Sequence, residues 1–248
     1  MKGLIPISAL LLFAAVNLYS LTGNDVLDKV EAVLTAPRDI QGDYKMTLGS
    51  TVNDNDREDR SLKIWTMGKD LRCVKFITPA SVNNVGVLAL GDNEMYVYLP
   101  AYQKVRRIQG NMKDNDFQGT DFSYREMGSF NYSKDFDAVV SSETGETWTL
   151  GLKRKAGSDS PYDSIVMVVD KSNSMPKSVE MSNGGVKKKV LTINTAEKNG
   201  NYWIYRKIRM ENVGNKHFTE VSMDNIVFDQ GLKEKGVFTQ GFLKTYVK

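Results

Sequence analysis

His217 is the first residue to consider for catalysis, because it is the only histidine in the sequence and imidazole is the commonest general base in enzymes. It lies in the polar turn 214–217, between two predicted strands. A Ser-His-Asp hydrolase also needs a serine on a sharp strand-to-helix turn, and the sequence contains no G-x-S-x-G motif. We therefore interpret His217 as a solvated turn residue and predict no catalytic residue.

Two acidic segments have partial calcium-loop spacing. The segment 54–59 has Asp59 where the loop needs glycine for its turn. The segment 114–119 has Gly119 in place, but Arg125 stands where a bidentate glutamate should close the loop. Both are interpreted as ordinary polar loops, so no metal site and no cofactor is predicted.

Basic residues are densest at Lys187-Lys188-Lys189. Successive side chains of a strand point to opposite faces, so the three ammonium groups do not form one patch. The favoured interpretation is an edge strand that lysine protects from aggregation, and the alternative is contact with anionic headgroups or an acidic partner. A net charge of +3 over 248 residues gives no reason to expect nucleic acid as a partner.

The stretch from Ser81 to Met127 organises the predicted fold. Apolar residues alternate on both sides of a turn at 91–93, which predicts an antiparallel hairpin. Both faces of this hairpin are apolar, so each must be covered. One cover can be the ordinary core, and the other is either a packed helix or a cavity that holds an apolar ligand.

A short helix is predicted just after this hairpin. Ser123 and Glu126 stand at capping-box spacing, and Gly128 can end the helix one turn later. Aromatic residues flank this segment on the N-terminal side. We expect it to form a lid over the open side of a curved sheet.

The rest of the chain predicts one mostly β domain. An amphipathic helix begins near Asn24, its predicted N-cap, and ends before Pro37. About ten strands follow, including a hairpin at Asn183-Gly184, without a solenoid or propeller period. The predicted fold is a single antiparallel sheet, curled into an open half-barrel around an apolar cavity, with an N-terminal helix and short lid helices.

The N-terminus predicts export. Met1-Lys2 precedes an apolar run that is too short for a comfortable membrane span, so residues 1–20 are interpreted as a cleaved signal peptide and residues 21–248 as one domain. The only cysteine, Cys73, lies inside a predicted strand and is expected to be buried. With no lipid-acceptor cysteine after the signal, a soluble periplasmic protein is expected.

Three strings carry a family resemblance: Met-Tyr-Val-Tyr-Leu-Pro at 95–100, Val-Arg-Arg-Ile at 105–108 and Gly-Thr-Asp-Phe-Ser-Tyr at 119–124. Together they resemble the signature of the LolA-like outer-membrane lipoprotein-sorting family. Tyr96 stands where that family usually has tryptophan, and Thr120 replaces a usual serine. The resemblance implies a curved sheet with an apolar concave side that helices cover.

The resemblance also implies a function. It is that of a non-enzymatic, monomeric carrier that shields acyl chains of lipoproteins, or another membrane lipid, and helps deliver them to the outer membrane. An inner-membrane transporter and an outer-membrane acceptor are the implied protein partners. Two alternatives stay open: a lipid-ester hydrolase that uses Asp114 and Asp116, and a periplasmic lipid-sensing module.

Two groups of residues are predicted to form the site. Broad apolar side chains suit a pocket for flexible chains, and those predicted to bind lipid are Trp65, Met67, Tyr96, Tyr98, Phe117, Phe122 and Tyr124. An arginine could also pair with a carboxylate to hold the lid shut. The residues predicted for this latch are Arg106, Arg107, Asp121 and Glu126.

Overall fold

The computed structural model describes residues 21–53, 55–91, 94–128 and 131–247. The predicted signal peptide at 1–20 lies outside the described residues. So do Asp54, which begins the first acidic segment, and Asp92 and Asn93 of the predicted hairpin turn. Within the described ranges, no helix is both long and apolar enough to cross a membrane.

Among the described residues, thirteen strands form a single sheet in the order β6-β5-β4-β3-β2-β1-β13-β12-β11-β10-β9-β8-β7. Every neighbouring pair is antiparallel. The strands are β1 Ile40–Ser50, β2 Arg57–Met67, β3 Leu71–Thr78, β4 Gly86–Leu90, β5 Met95–Leu99, β6 Lys104–Ile108, β7 Phe136–Glu143, β8 Thr147–Arg154, β9 Ser164–Asp170, β10 Pro176–Asn183, β11 Val186–Asn199, β12 Tyr202–Asn212 and β13 His217–Phe228. The helices are α1 Gly23–Leu34, α2 Tyr124–Gly128, α3 Tyr132–Asp135 and α4 Gln240–Lys244.

The sheet consists of two meanders joined at one seam. Strands β1 to β6 run outward in chain order on one side, and β13 back to β7 run outward on the other. Pairing of β1 with β13 joins them, from Ile40 opposite Phe228 to Ser50 opposite His217. Because β6 and β7 remain the two end strands of the described sheet, it is not closed into a barrel, which confirms the predicted open antiparallel architecture.

One face of the sheet, called the inner face, carries the larger apolar cluster. Helix α1 packs here through Val26, Leu27 and Val30, each fully buried. The strand residues in this cluster include Met46, Leu62, Phe76, Val97, Leu150, Met167, Leu191 and Met210. The period of two along each strand brings these side chains to the same side.

The opposite, outer face is also covered, at β2 to β5. A second apolar cluster contains Trp65, Leu88 and Tyr98, and it is closed by residues 232–247, called the C-terminal segment. Cys73 is fully buried in this cluster, as predicted. Both apolar faces of the central hairpin are therefore buried, one against the main core and one against the C-terminal segment.

Helix α1 begins differently from the prediction. Its N-cap is Thr22, whose side chain and backbone exchange hydrogen bonds with Asp25 in a capping box, so the assignment of Asn24 as the N-cap is wrong. Asn24 instead accepts a hydrogen bond from the backbone N–H of Ala138 on β7 at 2.8 Å. Gly23 permits this approach, because a Cβ there would lie 2.4 Å from the Ala138 backbone.

The lysine run lies on an interior strand. Strand β11 is between β10 and β12, so the interpretation of residues 187–189 as an edge strand is wrong. Lys187 and Lys188 are exposed, whereas Lys189 is buried and points to the inner face with Leu191. A run of lysines followed by apolar residues is expected both in an edge strand and in an interior strand that has one solvent-exposed face. The sequence pattern therefore does not distinguish the two.

Candidate functional site: the cavities beneath the lid

The lid comprises residues 110–128 and lies over the inner face. It contains a 3-10 turn at Gly110–Asp114, an isolated bridge between Asp116 and Ser123, and helix α2. The predicted capping box forms: the backbone N–H of Glu126 donates to the Ser123 hydroxyl at 3.1 Å, and the N–H of Ser123 donates to the Glu126 carboxylate at 2.7 Å. This reciprocal pair explains why so short a segment adopts helix at this position.

Aromatic side chains anchor the lid to the sheet. Phe117 is fully buried and stacks on Phe76 of β3 with ring centroids 5.2 Å apart. Tyr124 meets the other side of Phe117 edge-on at 5.2 Å, and Phe122 is also buried in the inner cluster. Three of the predicted lipid-binding residues therefore lie together between the lid and the inner face.

A cavity of about 140 Å³ lies on one side of α2. It is bounded by the inner face at β1, β2, β3, β12 and β13, by the end of α1, and by the lid. Its lining is mainly apolar and includes Met46, Phe122, Met127, Ile208, Val221 and Met223. Three charged side chains also reach it: Lys69, Arg72 and Glu126.

A second cavity of about 80 Å³ lies on the other side of α2. Its apolar wall comes mostly from β9 to β12, with Ile165, Met181, Leu191 and Met210. Glu126 lines both cavities. Helix α2 thus separates two apolar spaces, and its carboxylate stands at the boundary.

Glu126 is held by a buried group of polar contacts. Its carboxylate accepts from Lys189 Nζ at 2.9 Å and from the Tyr162 hydroxyl at 2.7 Å. The side chains of Lys189 and Glu126 are only 9% and 12% exposed. Burial and the nearby carboxylate raise the pKa of Tyr162, so the phenol keeps its proton and donates.

The N-terminal part of the lid is held by a second charged group. Arg125 donates to Asp114 at 2.6 Å within the lid and to Asp159 at 2.9 Å in the loop before β9. Lys113 also reaches Asp159, at 3.2 Å. The hydrogen bond from Arg125 lowers the pKa of Asp159 to about 2. Asp114 therefore lies beside a cation, the guanidinium of Arg125. Arg125 is also the residue at the closing position of the calcium-like segment that begins at Asp114.

His217 is not a solvated turn residue, which corrects the prediction. It is the first residue of β13, its side chain is 31% exposed, and its Nδ1 lies 2.8 Å from Asp121 in the lid. Thr219 donates to the same carboxylate at 2.8 Å, and burial raises the pKa of Asp121. These contacts tie the lid to β13. In the described part of the chain, no three His, Cys, Asp or Glu side chains are placed to hold a metal ion.

Known proteins show the same architecture. A family model described as that of an uncharacterized protein matches residues 68–245. A DUF1329 family protein from Desulfovibrio piger superposes with a TM-score of 0.81 at 24% identity, covering 89% of this chain and 97% of its own. A proposed outer membrane lipoprotein-sorting protein domain from Vibrio parahaemolyticus gives 0.79 at 23% identity, covering 90% and 98%.

A third structure also has this fold. A LolA superfamily protein from Nitrosomonas europaea superposes with a TM-score of 0.74 at 15% identity, covering 90% of this chain and 100% of its own. The chain belongs to the family of the model that matches residues 68–245, and it shares the fold of these three structures, which we call the LolA-like fold after the third. None of the curated proteins matches the sequence.

Four of the predicted lipid-binding residues lie away from the cavities of this LolA-like fold. Trp65, Met67, Tyr96 and Tyr98 are on the outer face, in or against the cluster that the C-terminal segment covers. Trp65 meets the Phe242 ring edge-on at 5.1 Å. Strand periodicity shows that such residues share a face but not which face is inner. Lipid binding by these four residues stays a prediction.

The residues predicted for the latch are not brought together. Arg106 lies over the Tyr102 ring at 5.7 Å, and Arg107 stands opposite Tyr96 in the pairing of β6 with β5. Asp121 and Glu126 contact His217 and Lys189 instead. The proposed arginine latch itself stays untested.

Sequence reasoning missed Lys189, Tyr162, Arg125 and Asp159 as the residues that hold the lid. One signal was available for Lys189. It has the same parity along β11 as Leu191, so a strand whose Leu191 faces the core must direct Lys189 to the same side. A buried lysine requires a partner, and Glu126 fills that role.

Proposed function

We propose that this LolA-like protein is a carrier that holds acyl chains of lipoproteins, or of another membrane lipid, between the lid and the inner face. The observation that carries the proposal is the pair of apolar cavities on either side of α2. They are walled by flexible methionine and branched aliphatic side chains, which adapt to chains without a fixed shape.

The size of the cavities indicates how a ligand would enter. An engineered protein cavity of about 150 Å³ takes a molecule the size of benzene. The larger cavity here is about 140 Å³, far smaller than the acyl chain of a membrane lipid. Loading therefore requires the lid to move away from the sheet and the two cavities to merge.

The energy for such a movement is available from the ligand. Each buried CH₂ group contributes about 0.8 kcal/mol, so a chain of a dozen groups contributes on the order of 10 kcal/mol. Breaking one buried ion pair costs about 3–5 kcal/mol. An acyl chain can therefore displace the contacts that Glu126 makes, and a partner or membrane offering equal burial can take the chain back.

A carrier fits the charged groups better than a lipid-ester hydrolase does. The hydrolase alternative assigned Asp114 and Asp116 to catalysis. Asp114 accepts from Arg125 at 2.6 Å, and Asp116 lies 3.8 Å from Lys189. Both carboxylates are engaged with cations that hold the lid, which is a structural role.

The cellular setting of the proposal is the periplasm, with transfer toward the outer membrane. Support comes from the similar structure described as a proposed outer membrane lipoprotein-sorting protein domain and from the predicted signal peptide at 1–20. An inner-membrane transporter that loads the carrier and an outer-membrane acceptor that unloads it belong to the same proposal. We also propose that the carrier is a monomer.

Native mass spectrometry of the protein purified from periplasm without detergent tests the proposal. We expect a mass increment equal to one acyl-chain ligand, which solvent extraction and lipid analysis then identify. A bare protein mass, with no uptake when lipid vesicles are added, would overturn the proposal. Transfer of a labelled lipid from donor to acceptor vesicles separates a carrier from a lipid sensor, which binds without delivering.

A further inference from the structure

Tyrosine side chains form part of the wall of the larger cavity. Tyr44 on β1 and Tyr205 on β12 both line this space. Tyr44 is only 8% exposed, and Tyr205 is half-buried against the inner cluster. Within the part of the chain that the structure describes, neither hydroxyl has a hydrogen-bond partner. A buried polar group without a partner is costly, so these two hydroxyls call for an explanation.

A third hydroxyl of this kind belongs to Tyr132 on α3, in the wall of the smaller cavity. It also lacks a hydrogen-bond partner among the described residues. The phenol of Tyr132 is close enough to that of Tyr205, and to the carboxylate of Glu126, to influence or be influenced in its ionisation. Tyr132 and Tyr205 therefore lie close together although they line different cavities, at the place where the two cavities merge on loading.

All three phenols are hydrogen-bond donors. Burial raises the pKa of Tyr44 to about 12, and burial also raises the pKa of Tyr132 and of Tyr205 above the ordinary tyrosine value. Each phenol therefore keeps its proton at neutral pH. The neighbouring Tyr162 differs, because its hydroxyl already donates to Glu126 at 2.7 Å. What the three other hydroxyls need is an acceptor from outside the chain.

The position favours an uncharged acceptor. Glu126 already places a carboxylate near Tyr132, and the carboxylate of a free fatty acid bound there would be a second negative charge at short range. The ester carbonyl of an acylated lipid accepts hydrogen bonds without carrying a charge. Its oxygen has two lone pairs, so it can accept from two phenols at once.

We infer that the merged cavities recognise the ester carbonyls of an acylated lipid, to which Tyr44, Tyr132 and Tyr205 donate hydrogen bonds. The inference rests on the proposed carrier function and adds the part of the ligand that the site distinguishes. The apolar walls hold a chain by burial alone, which does not fix its position along the space. The phenols fix that position, because the carbonyl must lie within hydrogen-bond distance of them.

Two ligands of equal chain length and equal headgroup test the inference. One is the ester 1-decanoylglycerol, and the other is the ether 1-O-decylglycerol, which lacks the carbonyl. Competition against a fluorescent fatty-acid probe gives both affinities. A hydrogen bond between neutral groups changes an affinity by about two- to ten-fold, so we expect the ester to bind about five-fold or more tightly than the ether.

Phenylalanine variants remove only the hydroxyl and keep the ring. The triple variant Tyr44→Phe, Tyr132→Phe and Tyr205→Phe should bind the ester as weakly as the ether, and its affinity for the ether should be unchanged. The matched control is Tyr202→Phe, on the same strand as Tyr205. The Tyr202 hydroxyl donates to Asp229 at 2.8 Å and lines neither cavity, so this variant should keep the full preference for the ester.

The outcomes separate this inference from the carrier proposal. Equal binding of ester and ether by the unaltered protein would overturn ester recognition and leave the carrier intact. So would a preference that persists in the folded triple variant, or an equal loss of affinity for both ligands in that variant, which would indicate a structural role. Binding of neither ligand by the unaltered protein would overturn both. If the triple variant does not fold, the three single variants decide, and at least one must lower the preference about two-fold or more.

Discussion

The carboxylate of Glu126 is almost completely removed from water. Lys189 supplies the positive charge that compensates it. Removing one partner of a buried pair leaves an uncompensated charge, whereas removing both leaves only the loss of packing. The buried pair of Glu126 and Lys189 is therefore stable when both charges are present, and the folded state is destabilised when one is missing. This suits a contact that either holds the lid or releases it.

Lys189→Met should therefore destabilise the protein by about 3–5 kcal/mol, with part of the loss recovered by adding Glu126→Met. Urea unfolding of the three proteins measures the change in the free energy of unfolding. Hydrogen exchange of residues 123–128 should become faster in the single variant.

The matched control for this prediction is on the same strand. Lys187 pairs with Glu180 at 2.7 Å on the exposed side, and Lys187→Met should change stability by less than about 1 kcal/mol. Equal effects of Lys187→Met and Lys189→Met would show that burial of the lid contact is not what makes it strong.

A second residue, Lys75, makes stability depend on pH. It is fully buried on β3, donates to the Thr245 carbonyl, and has a pKa lowered to about 8 by burial. Since the unfolded chain keeps an ordinary lysine pKa near 10.5, it binds more protons than the folded protein between these values. The contribution of Lys75 therefore becomes more favourable as pH rises from about 8 to about 10.5.

We expect Lys75→Met to lack that gain. Urea unfolding midpoints are measured at pH 7 and pH 9.5 for the variant and the unaltered protein. The difference between the two proteins at each pH isolates the contribution of Lys75, because the contributions of the other titrating groups are the same in both. Lys63→Met, on the neighbouring strand and partly exposed, should keep the full pH dependence. A pH dependence that survives Lys75→Met would assign it to another group.

At the scale of elements, the C-terminal segment stabilises the sheet by packing against its outer face. Leu243 is fully buried against the outer face, so Leu243→Ala should cost about 2–5 kcal/mol. Tyr246 in the same segment is 62% exposed, and Tyr246→Ala should change the free energy of unfolding by less than about 0.5 kcal/mol. Thermal unfolding followed by tryptophan fluorescence compares the two, and a small effect of Leu243→Ala would mean that the segment is loosely attached.

The sequence predicted elements well wherever local physics decides them. The capping box at Ser123 and Glu126, the period of α1, and the hairpin of β4 and β5 all depend on near neighbours. Strand β7 is hard to recognise in the sequence, because its outward residues, Asp137 and Glu143 among them, resemble those of a polar loop. The covering of the outer face depends on residues 232–247 reaching back across more than a hundred residues, which no local pattern encodes.

The site was predicted less well than the fold. Phe117 and Tyr124 of the lid are close in sequence and lie in contact, while their binding of lipid stays a prediction. Trp65 and Tyr98 lie on the opposite face of the sheet from the lid aromatics, and strand periodicity does not show which face is the inner one. That choice is made by α1 and the lid, not by the strands themselves. Partners of Glu126 come from distant strands, so their identity needed the tertiary structure.

At the scale of the whole molecule, uptake of a chain should depend on the inner face and not on the outer one. Met223→Asp places a carboxylate in the larger cavity and should weaken binding of an acyl ligand more than ten-fold, because a charged group replaces part of the apolar wall that the chain would contact. Val227, on the same strand, is 42% exposed, and Val227→Asp should leave binding unchanged. Fluorescent fatty-acid titration of folded variants measures both, and equal losses would show that the ligand lies elsewhere.

The seam between β1 and β13 also governs when this molecule can fold. The first and last strands of the sheet meet at its middle, with Ile40 opposite Phe228. During synthesis, the two meanders cannot pair along their common boundary until β13 has been made. Contacts so distant along the chain slow folding. The sheet of such a polypeptide is completed only after its last strand has been made, although each meander can pair its own neighbouring strands earlier.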